Sequence, residues 1–201
     1  MKLLASSWVR SQENGAFPCD FLKAEKARLG LPRRTDRLSV AAISAVDSLS
    51  CRPSPSAAML FGSMLGPQGR ICAFQDDLLD YPEEQASPFS FSHSVHNSVQ
   101  AQVSIRFRLS GPACSISGGT DLPARMFQLA DAFLKEGAAP QVLLLLFEER
   151  SIIADRVWAS LAVPPMEFAL AILCEPSPDF MPEPPDYLTF IKETMHDART
   201  N

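Results

Sequence analysis

Two stretches of this sequence are apolar almost from end to end: PQVLLLLFEE at 140–149 and MEFALAILCE at 166–175. A strand with one wet face alternates apolar and polar residues. These two do not, so both of their faces call for cover. The remainder of the chain offers it. TDRLSVAAISAVDSL (35–49) reads as a helix, with Thr35 or Asp36 as its cap and Leu38, Ala42, Val46 and Leu49 on one face. GGTDLPARMFQLADAFLKEG (118–137) is the clearest helix: Thr120 or Asp121 caps it and Pro123 lies in its first turn. Leu122, Met126, Leu129 and Phe133 line one face, and Gly137 ends it. Short strands are read at LLASSWV (3–9), AAMLFGS (57–63) and ACSIS (113–117), and a turn or short helix between 149 and 166. Strands alternating with helices predict an α/β layered fold. Residues 13–34 read as loop, CRPSPS (51–56) as a turn-rich linker and 76–88 as an acidic surface loop. A single domain over 1–201 is expected, with 175–201 as a Pro-rich extension that a short helix closes.

VQAQVSIRFRL (99–109) is ambiguous. Its odd positions are all apolar, which favours a strand. Val99, Val103 and Phe107 also fit one face of a helix, for which Asn97 is a good cap.

Composition narrows the function. A chain that is 46% hydrophobic and 20% charged is an ordinary soluble one. Its net charge of −5 offers no clustered basic face for nucleic acid. The five cysteines, with no CxxC pair, favour reduced thiols and a cytoplasmic location over a disulfide framework. MKLLASSWVR imitates a signal peptide only faintly, because its apolar run is short and Arg10 breaks it. No run approaches the roughly 18–20 apolar residues of a spanning helix, so no membrane insertion is expected.

The tempting chemistry lies between 92 and 121. His93 and His96 would share a face if helical, but two ligands do not complete a metal site, and no metal or cofactor is expected. Cys114 sits inside a predicted strand, away from the helix N-terminus that would stabilise a thiolate, so a buried inert thiol is favoured. Gly118-Gly119 lacks the rest of a phosphate loop and reads as room for a tight turn. Arg33, Arg34 and Arg37 form either a solvated cluster or an anchor for an acidic partner surface.

SPFSFSHSVHNS (87–98), SIRFRLSGP (104–112), the helix after Gly-Gly and QVLLLLFEE (141–149) together resemble the N-terminal half of the β-ketoacyl synthases. RRTDRLS (33–39) and LFGSMLG (60–66) also fit. The likeness is greater still to the small ketosynthase-like proteins called chain length factors, of aryl polyene and related type II polyketide-like pathways. The resemblance implies a thiolase-like α/β fold, a layered mixed sheet with helices, and a helix over 97–109. It implies that the nucleophile position, eight residues after Pro112, is held by Thr120 and not by cysteine. It places Pro112, Ala113, Cys114, Ser115, Ile116 and Ser117 in a strand that pairs across a dimer axis. The family's two catalytic histidines come from a C-terminal half that these residues do not include. His93 and His96 match a different region, and His196 lies outside any matching motif.

The leading expectation is therefore a non-catalytic subunit that pairs with an active β-ketoacyl synthase, and through it meets acyl carrier protein. The helices of a chain this size are expected to leave part of the apolar strands for that partner to cover. One rival is an independent thiol acyltransferase or hydrolase using Cys114; another is a homodimeric acyl-chain-binding module.

Overall fold

The computed structural model describes residues 1–12, 15–82, 85, 87–178 and 189. Five strands form one mixed sheet: β1 (Lys2–Arg10), β2 (Ala58–Ser63), β3 (Ala113–Ser117), β4 (Val142–Glu148) and β5 (Phe168–Glu175), in the order β1-β5-β4-β2-β3. β2 runs parallel to both β3 and β4, whereas β5 is antiparallel to β4 and to β1. Seven helices are described: α1 (Cys19–Leu29), α2 (Arg37–Asp47), α3 (Gln68–Asp80), α4 (Pro88–Ser94), α5 (Ser98–Phe107), α6 (Leu122–Lys135) and α7 (Ile152–Ser160).

The two apolar runs are the centre of this sheet. On β4, Val142, Leu144 and Leu146 enter one core with α6 and α7, while Leu143, Leu145 and Phe147 enter a second with α1, α2 and α5. β5 divides in the same way, with Phe168, Leu170, Ile172 and Cys174 on the first side and Ala169, Ala171 and Leu173 on the second. The small alanines of β5 face α2, whose own Ala41, Ala42 and Ala45 are wholly buried. Small residues on both partners let α2 approach the sheet closely. It is accordingly buried along nine consecutive residues from Leu38 to Val46, as a helix apolar nearly all round must be. Ser44 is buried within it because its hydroxyl donates to Glu25 Oε2 at 2.7 Å.

The structure corrects several expectations. Residues 19–29 form α1 and not a loop. The overlooked signals were Pro18 before it, Lys26 and Arg28 in its last turn, and Gly30 after it at φ 62°, the left-handed end that glycine favours. Residues 76–80 belong to α3. On α6 the buried stripe runs through Leu122, Met126, Phe127, Ala130 and Leu134, rotated from the expected one, so that Leu129 and Phe133 are only half-buried. The ambiguous segment is helical: α5 spans Ser98–Phe107 and buries Val99 and Val103. The apolar strands need no outside cover, since β4 is buried throughout and β5 at all but its last residue. The most exposed apolar side chains among the described residues are peripheral: Leu79 on α3, Ile152 on α7 and Ile105 on α5, at 84%, 75% and 74% exposure. The expected terminal helix lies outside the described residues.

The chain entering β3 is wedged against the start of β2. Pro112 O accepts from Met59 N at 2.8 Å, and a Cβ placed on Gly111 would stand 2.2 Å from the Ala57 carbonyl oxygen. A Cβ on Gly62 would instead meet the flexible thioether of Met126, at 2.1 Å from Sδ. Gly111→Ala is therefore expected to destabilise the fold by about 3 kcal/mol, and Gly62→Ala by about 1–2 kcal/mol, because a side chain yields where backbone does not. Urea unfolding of the two variants measures the difference; equal effects would contradict it.

Candidate functional site

β2, β3 and β4 are parallel, so their carboxyl ends open on one edge of the sheet, where ligand sites of such sheets gather. Carboxylates organise this edge. Glu148, fully buried at the end of β4, accepts from Met64 N at 2.5 Å, from Ser63 Oγ at 3.0 Å and from Leu65 N at 3.4 Å. It thereby holds the loop that leaves β2. Ser63 Oγ accepts in turn from Gly66 N at 2.6 Å. Gly66 has a φ of 68°, and the His96 ring occupies the space its Cβ would fill, 2.4 Å from Nε2.

Beside this loop lies a second group. Glu167 Oε2 accepts from Phe17 N at 2.6 Å and from Arg37 Nη2 at 2.7 Å. Asp36 caps α2 by accepting from Ser39 N at 2.9 Å through Oδ1, while its buried Oδ2 makes no hydrogen bond. His93 Nε2 stands 3.9 Å from that oxygen, and His93 Nδ1 is 2.9 Å from Phe89 O. Glu149 Oε2 accepts from Gly69 N at 3.2 Å. Burial first, then the charges of Glu167 and Asp36, push the Glu149 carboxyl up to about 7, against the opposing pull of the Gly69 N–H and Arg37.

The β3–α6 turn is the third feature. Leu122 N donates to Gly119 O at 3.1 Å and starts α6. Thr120 is exposed in this turn. Asp121 occupies the cap position, yet its side chain makes no capping bond and pairs with Arg125 Nε at 2.6 Å. The expected cap is thus absent, and the first N–H groups of α6 are uncapped by side chains.

Cys114 lies in mid-strand, half-buried against the α6 side of the core together with Ile116. Ser115 points the other way and donates to Gln100 Oε1 at 2.5 Å. Among the described residues β3 pairs with β2 alone, and its far edge has no strand beside it. Ala113 and Ser117 are exposed at its ends, and Pro112 precedes it. The histidines do not form a pair: α4 ends at Ser94, and His96 lies beyond its cap residue Val95. Among the described residues no cluster of three potential ligands could hold a metal. His196 lies outside the described residues. The three arginines divide. Arg37 is bound to Glu167, whereas Arg33 and Arg34 are exposed and line a cleft with Lys26 and Arg70. Sequence reasoning missed the buried carboxylates. The only sign of them was a pair of glutamates ending a run too apolar to leave them in water.

A five-stranded mixed sheet covered by helices on both faces makes this a layered α/β protein of the thiolase-like class. The chain belongs to the β-ketoacyl synthase family: the model of its N-terminal domain matches residues 8–198. Among solved structures, it is similar to a ketosynthase (ApeO) in complex with its chain length factor (ApeC) from Xenorhabdus doucetiae. That match has 23% identity and a TM-score of 0.64, and covers 88% of this chain and 80% of the other. The ishigamide ketosynthase/chain length factor matches at 17% identity and a TM-score of 0.64, over 91% of this chain and 63% of the other. A β-ketoacyl synthase from Burkholderia phymatum matches at 19% identity and a TM-score of 0.57, over 72% and 44%. No curated protein compared with the chain matches it.

Glu149 makes stability depend on pH. Its folded carboxyl is raised from 4.5 to about 7, so its favourable contribution is fully present below about pH 4.5 and lost as the pH rises through 7. The loss is on the order of 3 kcal/mol. Glu149→Gln keeps an acceptor for Gly69 N and is expected to remove this fall. Chemical denaturation at pH 5 and pH 8 checks it; a variant that loses stability as steeply as the parent would contradict the assignment.

Proposed function

We propose that this chain is a non-catalytic ketosynthase-like subunit of the chain length factor type, and that it pairs with an active β-ketoacyl synthase through β3. The observation that carries the reading is the open edge of β3 next to an exposed Thr120. An unpaired edge invites another strand. Nucleophilic catalysis needs an activated side chain with a base in reach. Thr120 is an unactivated alcohol, while His93 is turned to Phe89 O and Asp36, and His96 to Gly66. The likeness to chains from ketosynthase/chain length factor complexes supports the same reading. In this role the subunit stabilises its partner and meets acyl carrier protein only through it, in polyene or related acyl-chain synthesis.

Five free cysteines among the described residues agree with a reducing compartment such as the cytoplasm. No described helix is long and apolar enough to cross a membrane. The reading treats the chain as one ketosynthase-like domain.

Cys114 is not favoured as a nucleophile, because it lies in mid-strand, away from a helix N-terminus. A homodimer through β3 would close the edge but bring two copies of Thr120 together and no catalytic cysteine.

Co-expression with an active ketosynthase of its pathway, followed by size-exclusion chromatography, tests the proposal. A hetero-oligomer is expected, with no condensation by the isolated chain and none gained by Thr120→Cys. Ile116→Asp should abolish assembly, since a carboxylate set beside the core and the new interface goes unpaired. Ile116 also touches its own core, so a melting curve accompanies this variant, and Ser117→Lys, at an exposed end of β3, serves as the second probe. A stable monomer that ignores the partner, or turnover by the chain alone, would defeat the reading.

A further inference from the structure

Arg33 and Arg34 line a cleft to which no residue of β3 contributes. It has a volume of about 470 Å³. Four cations reach it from three segments: Lys26 from α1, Arg33 and Arg34 from the α1–α2 loop, and Arg70 from the first turn of α3. Thr35 and Ser87 contribute hydroxyls, and Phe89 forms an apolar wall. None of the described residues lining the cleft is acidic. This is unusual in a chain with 23 acidic residues against 18 Lys and Arg. Four of the other described arginines are ion-paired: Arg28 with Glu25 and Asp47, Arg37 with Glu167, Arg125 with Asp121 and Arg150 with Asp155. Arg33, Arg34 and Arg70 have no such ion pair among the described residues. Lys26 Nζ donates to Arg33 O at 3.0 Å, which pins the arginine-bearing loop to α1.

We propose that this cleft binds a phosphate-bearing small molecule. Like charges gathered in one hollow repel each other, and a multivalent anion removes that cost. Guanidinium forks match phosphate oxygens two at a time. A volume of about 470 Å³ falls within the range of small-molecule sites and exceeds what one inorganic phosphate fills. Phe89, 37% exposed, offers a face for the organic part. The concave form favours such a molecule over the acidic surface of a protein.

The test is calorimetric titration of the full chain, alone or with its partner, using inorganic phosphate, pyrophosphate and ADP at about 0.1 M salt, where surface charges more than a Debye length apart are screened. Saturable binding of pyrophosphate and ADP is expected, each tighter than inorganic phosphate. Arg70→Ala and Arg34→Ala should each weaken binding about tenfold or more, one charge-assisted hydrogen-bonded pair being of that order. Phe89→Ala should weaken ADP and spare pyrophosphate. Lys23→Ala, on the same helix as Lys26 but outside the cleft, should change nothing. Arg34 is exposed, so its variant reports even if Arg70→Ala unfolds. Absence of saturable binding would overturn the proposal. So would an unchanged affinity in Arg34→Ala, an equal loss in Lys23→Ala, or an acidic peptide that binds more tightly than pyrophosphate. Each of these readouts is independent of whether the chain pairs with a ketosynthase.

Discussion

Burial of β4 on both faces is the constraint from which the architecture follows. Val142 to Phe147 send alternate side chains into two separate cores, and neither core forms without helices on its own side. At about 25 cal/mol per Å² of apolar surface, these strands supply a large share of the folding free energy. The backbone must cross this region with its amides paired, and β4 meets that demand by pairing with β2 on one side and β5 on the other. α2 completes one side because its alanines permit close approach to Ala169 and Ala171. α6 and α7 complete the other through Met126, Phe127 and Trp158. Among the described residues the sheet therefore ends at β3 on one flank and β1 on the other.

The same burial explains the carboxylates. A strand so deep delivers the residues at its carboxyl end into a dry environment, where a charge is costly unless hydrogen-bonded. Glu148 meets this with Ser63 Oγ and two backbone amides, and in doing so fixes the path after β2. Glu167 meets it with Arg37 and Phe17 N. Glu149 has one backbone donor and two acidic neighbours, so it holds its proton nearer neutrality than an ordinary glutamate. The carboxylates act here as ties between β4, β5, the start of α2 and the loop into α3.

Much of the fold was legible because its strongest signals are those that burial imposes. The apolar runs at 142–147 and 168–174, the capped helix beginning at Asp36 and the strand ACSIS all appear where the pattern puts them. α1 was not legible, since only Leu22 and Leu29 of its residues are buried and its periodicity is weak. α3 was hidden for the same reason, having no buried residue at all. The helical state of 98–107 was undecidable from alternation, because tertiary burial of Val99 and Val103 overrides it; resemblance to the family gave the right answer. The site was legible only in part. Residues 113–117 form the strand that the resemblance implies, but Arg33, Arg34 and Arg37 read as one cluster and serve two different ends. Adjacency in sequence carried no information about which guanidinium would turn inward to Glu167.

That division has a physical cause. Arg37 is the first residue of α2, and the burial of Glu167 at the base of β5 creates a local demand for one cation. Once Arg37 answers it, Arg33 and Arg34 are left in the loop before the helix, held over α1 by the Lys26 bond to Arg33 O. With no described carboxylate to meet them, they face Arg70, which enters the same hollow from the first turn of α3. That turn is itself set by the Glu149 bond to Gly69 N, one residue away. The buried carboxylates thus place two of the walls of the cationic cleft, Arg37 by withdrawing inward and Gly69 by holding Arg70 in position. The surface chemistry of this face is in that sense written by the dry end of β4, several layers beneath it.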